Sequence, residues 1–233
     1  MREARKKTTA FSTGDLLQTF IDAVGPEGTL LLPLFNFAFC NGETFNRRET
    51  PSMMGSLTET ARTDPRFKRT RHPIYSFAVK GPYADEFVQL HNISALGDNG
   101  PFGMLRRMGG KVAVLDLDDQ NSMTIYHHIE EVVGVDYRVH KSFTGEYVDC
   151  DGATTVRTYQ LFVWDEQRGV RTDVNRAGEH LWSRGAYSGE RPGVGAGLRV
   201  ISAQMMFEEI QKIILDGKAQ DYLYSIGDGN HDS

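Results

Sequence analysis

The stretch "MTIYHHIEEVV", Met123 to Val133, sets two adjacent histidines in front of two adjacent glutamates. Wound as a helix, Thr124, His127 and Glu130 or Glu131 fall three or four residues apart and share one face. His128 is turned about 100° away from His127 and shares a stripe with Thr124 and Glu131. A histidine with a carboxylate one helical turn away is a natural general base, because the carboxylate fixes the ring tautomer and stabilises the imidazolium that forms. Either histidine has a glutamate in reach, so spacing alone leaves two registers open. Two other readings fit the same residues. One is a set of solvated polar groups at a helix start, where Glu suits the dipole. The other is a metal fragment pairing His127 or His128 with Glu131. A metal would need at least one further ligand, and the remaining histidines stand in no ligand-like spacing. No metal is expected.

The elements that must position this cluster read clearly on either side. "KVAVLDL" (111 to 117) has the look of a buried strand and ends in acidic "DLDDQ", so the helix opens at the carboxyl edge of a strand, the usual ligand-binding position in open α/β sheets. Upstream, Ser12 or Thr13 caps a helix with the apolar stripe Leu16, Leu17, Phe20, Ile21 and Val24, stopped by Gly25 and Pro26. "TLLLPLF" (29 to 35) and "IYSFAVKG" (74 to 81) read as strands, the latter running into helical "PYADEFVQLH". Downstream, "YRVHKSFTGEYVD" and "TTVRTYQLFVW" flank an Asp151-Gly152 turn and read as an antiparallel hairpin. A polar helix near 172 to 184, a Gly-rich loop, the strand "LRVISA" and the helix "QMMFEEIQKIILDG" follow. Strand alternating with helix predicts an α/β fold: a single three-layer α/β/α domain over 1–233, with a largely parallel central sheet and an added antiparallel hairpin. The irregular segments near 36 to 52 and 91 to 101 are long for connections and are where substrate contacts are expected.

Length and charge narrow the class of partner. The 233 residues suffice for one large domain with a substantial core. A formal net charge of −5 argues against a nucleic-acid or anionic-membrane surface and for a small metabolite. "MREARKK" is basic like the start of a signal peptide, but "TTAFSTGDLLQTF" follows where an unbroken apolar run would be needed, so a cytoplasmic location is expected. No window approaches eighteen uninterrupted apolar residues. Cys40 and Cys150 are too few and too far apart for a disulfide framework or a cysteine zinc site.

Several ordered segments resemble the aminoglycoside 3-N-acetyltransferase family. "VGPEGTLLLPLFNF" (24 to 37), "MGSLTETARTDPRFKRTRHPIYSFAVKGPYA" (54 to 84), "LGDNGPFGMLRRMGGKVAVLDL" (96 to 117) and "TIYHHIE" are similar to that family's motifs, in order, over roughly residues 12 to 150. The resemblance implies an α/β/α domain that transfers acetyl from acetyl-CoA, as co-substrate, to an amino group of an aminoglycoside or another amino sugar, in antibiotic resistance or biosynthesis. It places the catalytic histidine on His127, the glutamate on Glu130 and Thr124 beside them. His127 would take the proton that the acceptor ammonium must lose before attack on the thioester, with Glu130 holding its ring, and transfer would be direct. Neither cysteine lies in a motif suggesting an acyl-enzyme.

Other matched residues are assigned by the same resemblance. Ser76 and Arg71 are expected on the acetyl-CoA side, with Arg69 a further candidate for its phosphates. Asn36, His72 and Asp98 are expected to line the acceptor site, although His72 before Pro73 and Asn36 just past a strand also suit structural roles. The glycines at 193, 195 and 197 precede a strand-like run and do not make a dinucleotide loop. The family pattern carries a further strand ahead of the helix at 13 to 24, and the resemblance begins only at that helix. This motivates a second expectation: a catalytically degenerate member that binds a ligand or partner. The family's Ser-Pro stands here as Gly100-Pro101, and Asp116 replaces a usual glycine after the strand. A homo-oligomer is compatible with all of this.

Overall fold

Ser12 opens the first helix with a reciprocal cap: its hydroxyl accepts from the Asp15 amide, and the Asp15 carboxylate accepts from the Ser12 amide. Such a cap is worth about 1 kcal/mol. The structure, a computed structural model, describes residues 12–191 and 197–227. Its elements run α1 (Thr13–Val24), β1 (Leu30–Pro33), β2 (Phe45–Asn46), α2 (Ser56–Thr63), β3 (Lys68–Arg69), β4 (Phe77–Lys80) and α3 (Ala84–Gln89). Then come α4 (Pro101–Arg107), β5 (Lys111–Leu115), α5 (Ile125–Val133), β6 (Arg138–Val148) and β7 (Thr154–Trp164). The last are β8 (Val170–Thr172), α6 (Asn175–Ser183), β9 (Tyr187–Gly189), β10 (Leu198–Ser202), α7 (Ala203–Leu215), α8 (Ala219–Tyr222) and β11 (Tyr224–Ile226).

The chain forms two compact units, each made from two stretches: Met1–Ala95 with Ser142–Gln160, and Leu96–Lys141 with Leu161–Ser233. In the first unit β4 pairs antiparallel with both β1 and β3. Leu17 of α1, Leu34, Ala61 of α2 and Ala78 of β4 form its core, with Ile21, Leu57 and Phe67 packed against them. Strands β6 and β7 are neighbours, and their turn closes through the Asp149 amide on the Ala153 carbonyl, with Gly152 at φ +85°. In the second unit β10 pairs antiparallel with β5 on one side and β9 on the other. Helix α5 packs along α7, and Ile125, Ile129, Met206, Phe207 and Ile210 are buried there.

The α/β composition and the hairpin agree with the sequence pattern, but the expected largely parallel central sheet is not what these strands form. The described sheets are small and their pairings antiparallel, apart from the two-residue β2–β6 pair and an isolated Ser94–Gln160 bridge. Strand-helix alternation predicts parallel pairing only if successive strands become neighbours through a crossover. Here β5 is partnered by β10, which arrives from far along the chain and runs the other way.

Candidate active site

Helix α5 is placed by the turn that precedes it. After β5 the chain passes through Asp116, the non-glycine residue with positive φ (+57°) among those described, whose carboxylate accepts from the Gly197 amide at 2.8 Å. The family's glycine at this position thus has a backbone reason, and Asp is among the few residues that tolerate the left-handed region. Asp119 follows, fully buried. Its carboxylate accepts from Tyr126 (2.7 Å), Tyr187 (2.8 Å) and Arg199 Nη2 (2.6 Å), while its carbonyl accepts from the Ser122 and Met123 amides. Arg199 also donates to the Leu117 carbonyl. A Cβ on Gly178 would stand 2.5 Å from Asp119 Oδ2, so α6 must present a glycine there.

On α5 the two histidines part as their spacing requires. His127 Nδ1 lies 2.6 Å from Glu130 Oε2. Glu130 is 1% exposed, whereas His127 keeps 18% exposure. The Tyr137 hydroxyl donates to Glu130 Oε1 at 2.9 Å, and Arg138 Nη1 lies 3.3 Å from Oε2. Arg138 is itself buried and clamped by Nε and Nη2 bonds of 3.2 and 2.8 Å to the Phe162 carbonyl. With Nδ1–H donating to the carboxylate, His127 Nε2 carries the lone pair. Burial and then the Arg138 charge push His127 below the ordinary histidine range, outweighing Glu130's opposing pull. A neutral imidazole with one nitrogen oriented by a buried carboxylate is the geometry of a general base.

His128 points the other way. Its Nδ1 meets the Leu96 carbonyl at 2.7 Å, and its ring lies between Phe102 and Phe207 in the core. Glu131 takes His140 Nε2 at 3.3 Å. The metal fragment of the sequence reading is therefore divided between different neighbours, and no group of three or more His, Cys, Asp or Glu among the described residues could hold a metal ion. Thr124 stands at the N-terminus of α5, its carbonyl accepting from the His127 amide, without a side-chain capping bond.

The remaining candidates are largely engaged in scaffolding. Asp98 is bound to Arg106 at 2.8 Å and Arg107 at 3.0 Å; burial raises its pKa, but the Arg106 hydrogen bond and the neighbouring positive charges together more than offset this and leave it below the usual carboxylate range. In the first unit Ser76 is fully buried, its hydroxyl donating to the Leu34 carbonyl and accepting from Arg69 Nε. His72 is buried with both nitrogens in use: Nδ1 accepts from the Ile74 and Tyr75 amides, and Nε2 donates to the Ile93 carbonyl. Asn36 bridges the Pro51 carbonyl and the Ala38 amide. Arg71 donates to the Val88 carbonyl and lies 3.9 Å from Asp149. The ligand roles expected for Ser76, His72 and Asn36 thus meet side chains already satisfied by the protein, because loop backbone near a strand end must be hydrogen-bonded when buried. The glycines at 193 and 195 lie outside the described residues.

Tyr137 and Arg138 escaped the sequence reading. Gly134, at φ +77°, ends α5 with its amide on the Glu130 and Glu131 carbonyls, and the reversed chain returns Tyr137 and Arg138 to Glu130. The signal was a Gly helix stop with Tyr-Arg three residues further on, which is too common to single out.

Comparison with known proteins agrees with the fold. A family model described as aminoglycoside 3-N-acetyltransferase matches residues 8–214, and the chain belongs to that family. It is 27% identical over 138 residues to an SPbeta prophage-derived aminoglycoside N(3')-acetyltransferase-like protein, YokD, of Bacillus subtilis (strain 168); the match covers 49% of this chain and 50% of YokD, about half the length of that relative. Among solved structures, AAC-VIa bound to sisomicin superposes with a TM-score of 0.73 at 20% identity, covering 89% of this chain and 86% of that one. AAC-IIIb in a binary complex with CoASH gives 0.69 at 20% identity, with 88% and 84% covered.

Proposed function

We propose that this chain is an acetyl-CoA-dependent N-acetyltransferase acting on an amino group of an aminoglycoside or related amino sugar, with His127 as general base. The observation that carries the reading is the His127–Glu130 pair: a neutral, partly exposed imidazole whose Nδ1 is tied at 2.6 Å to a buried carboxylate. Family membership supports the reaction class, as do a relative solved with CoASH and another with sisomicin. The match over 8–214 runs through segments of both units, which supports one transferase domain.

The mechanism follows from the chemistry of amide formation. The acceptor ammonium has no lone pair, so His127 Nε2 removes a proton as the nitrogen attacks the thioester carbonyl. The C–N bond forms, the carbonyl π electrons move onto oxygen, and collapse of the tetrahedral intermediate breaks the C–S bond. CoA leaves as thiolate and is protonated by the imidazolium, while the second proton of the original ammonium leaves the nitrogen for water as the amide forms. Glu130 stabilises that imidazolium. Transfer is direct, since neither Cys40, half-buried, nor Cys150, exposed, lies in a motif that suggests an acyl-enzyme.

The test is acetyl-CoA-dependent thiol release, screened over aminoglycosides and nucleotide-linked amino sugars, with His127→Ala and His128→Ala compared. Turnover lost with His127 supports the reading. Turnover that survives the loss of His127, or no release with any amine and no thermal shift from CoA, ends it.

A further inference from the structure

A carboxylate 2.6 Å from an imidazole would, by itself, favour the imidazolium and disarm a base at neutral pH. The cluster around Glu130 contains the opposing charge. Arg138 Nη1 stands 3.3 Å from Oε2, the same oxygen that His127 engages. The guanidinium has little freedom, because Nε and Nη2 both end on the Phe162 carbonyl. Tyr137 fills the other carboxylate oxygen. Glu130 and Arg138 together are neutral, so a proton on His127 would make a buried cluster net positive. We infer that Arg138 is a positioning residue for the His127–Glu130 pair: it holds the carboxylate in place and keeps the imidazole in its proton-accepting form.

Two other titratable groups beside this pair have partners of their own among the described residues. Glu131, on the same helix, pairs with His140 of β6, and Tyr137 is a neutral phenol raised further by burial and by Glu130. Arg138 is the cation whose charge bears on His127 from an element other than its own helix. The consequence for turnover rests on the acetyltransferase reading; the protonation state of His127 does not.

The experiment is an NMR titration of the His127 imidazole in the full chain, assigned with His127→Gln, in wild type, Arg138→Met and Tyr137→Phe. Arg138→Met should raise the His127 midpoint by about one to two pH units, the size expected when a neighbouring like charge is removed. The acid limb of kcat should move up with it. Tyr137→Phe, which changes no charge, should move the midpoint by less than about half a unit. An unmoved midpoint in folded Arg138→Met overturns the inference. If that variant does not fold, Arg138→Lys is read instead: a midpoint within about half a unit of wild type supports the charge argument, and an upward displacement of about a unit or more refutes it. A chain that releases no CoA thiol while the midpoint still moves loses the acetyltransferase reading and keeps Arg138. Thiol release with an unmoved midpoint does the reverse.

Discussion

Two buried carboxylates in the second unit are built from nearly the same parts. Asp119 takes two tyrosine hydroxyls and an arginine; Glu130 takes one tyrosine, one arginine and a histidine. Around Asp119 the network closes on itself, with Arg199 capped by the Leu117 carbonyl and no member reaching solvent appreciably. Around Glu130 one donor is a ring with a second nitrogen and 18% exposure. A closed network such as Asp119's serves as scaffold, whereas a partner with an outlet leaves room for the acid–base role proposed for His127. His72 makes the same point in the first unit: it is a buried histidine whose two nitrogens both end on backbone.

The comparison predicts opposite phenotypes. His127→Gln should lower acetyl transfer by about 10²- to 10⁴-fold while the urea midpoint barely moves, because the side chain that is lost is partly solvated. Asp119→Ala should lower stability by about 3–5 kcal/mol, since it strands the buried Arg199, with much less change in turnover per folded molecule; urea unfolding and thiol release on the same samples decide it. If the two variants exchange phenotypes, the distinction between outlet and closed network is lost.

A pH series sharpens the contrast with His72. Burial lowers its pKa to about 3 from an ordinary 6.5. The unfolded chain therefore binds a proton that the folded one refuses, so this stabilisation is complete above the unfolded value and declines as pH falls towards the folded one. The slope is about 1.4 kcal/mol per pH unit. Urea midpoints between neutral and acidic pH should fall steeply in wild type and less in His72→Gln. His127, also lowered, contributes in the same direction. The smallest effect is expected for Asp116→Gly. It relieves a left-handed residue while losing the 2.8 Å bond to Gly197, for a net change within about 1 kcal/mol by calorimetry.

Much of this was legible along the chain. The capped helix at Ser12, the strand "KVAVL", the helix through His127 and the hairpin at Gly152 stand where their patterns put them. The candidate site was legible as far as one helical turn reaches, as the His127–Glu130 spacing that the fold closes to 2.6 Å. For Ser76, Asn36 and His72 the sequence did not show the protein partners that these side chains have in the fold, because motif positions beside a strand look alike whether they face a ligand or satisfy buried backbone.

The sequence by itself determined what depends on neighbours a few residues away: where helices start and stop, and that His127 with Glu130 and His128 lie on different sides of one helix. The tertiary structure alone decided which of those sides is core, through Phe102 and Phe207, and that β10 runs antiparallel to β5. It also brought Arg138 to Glu130. Backbone geometry is local and repeats with the residue, whereas burial and charge compensation depend on segments that meet only after the chain has folded.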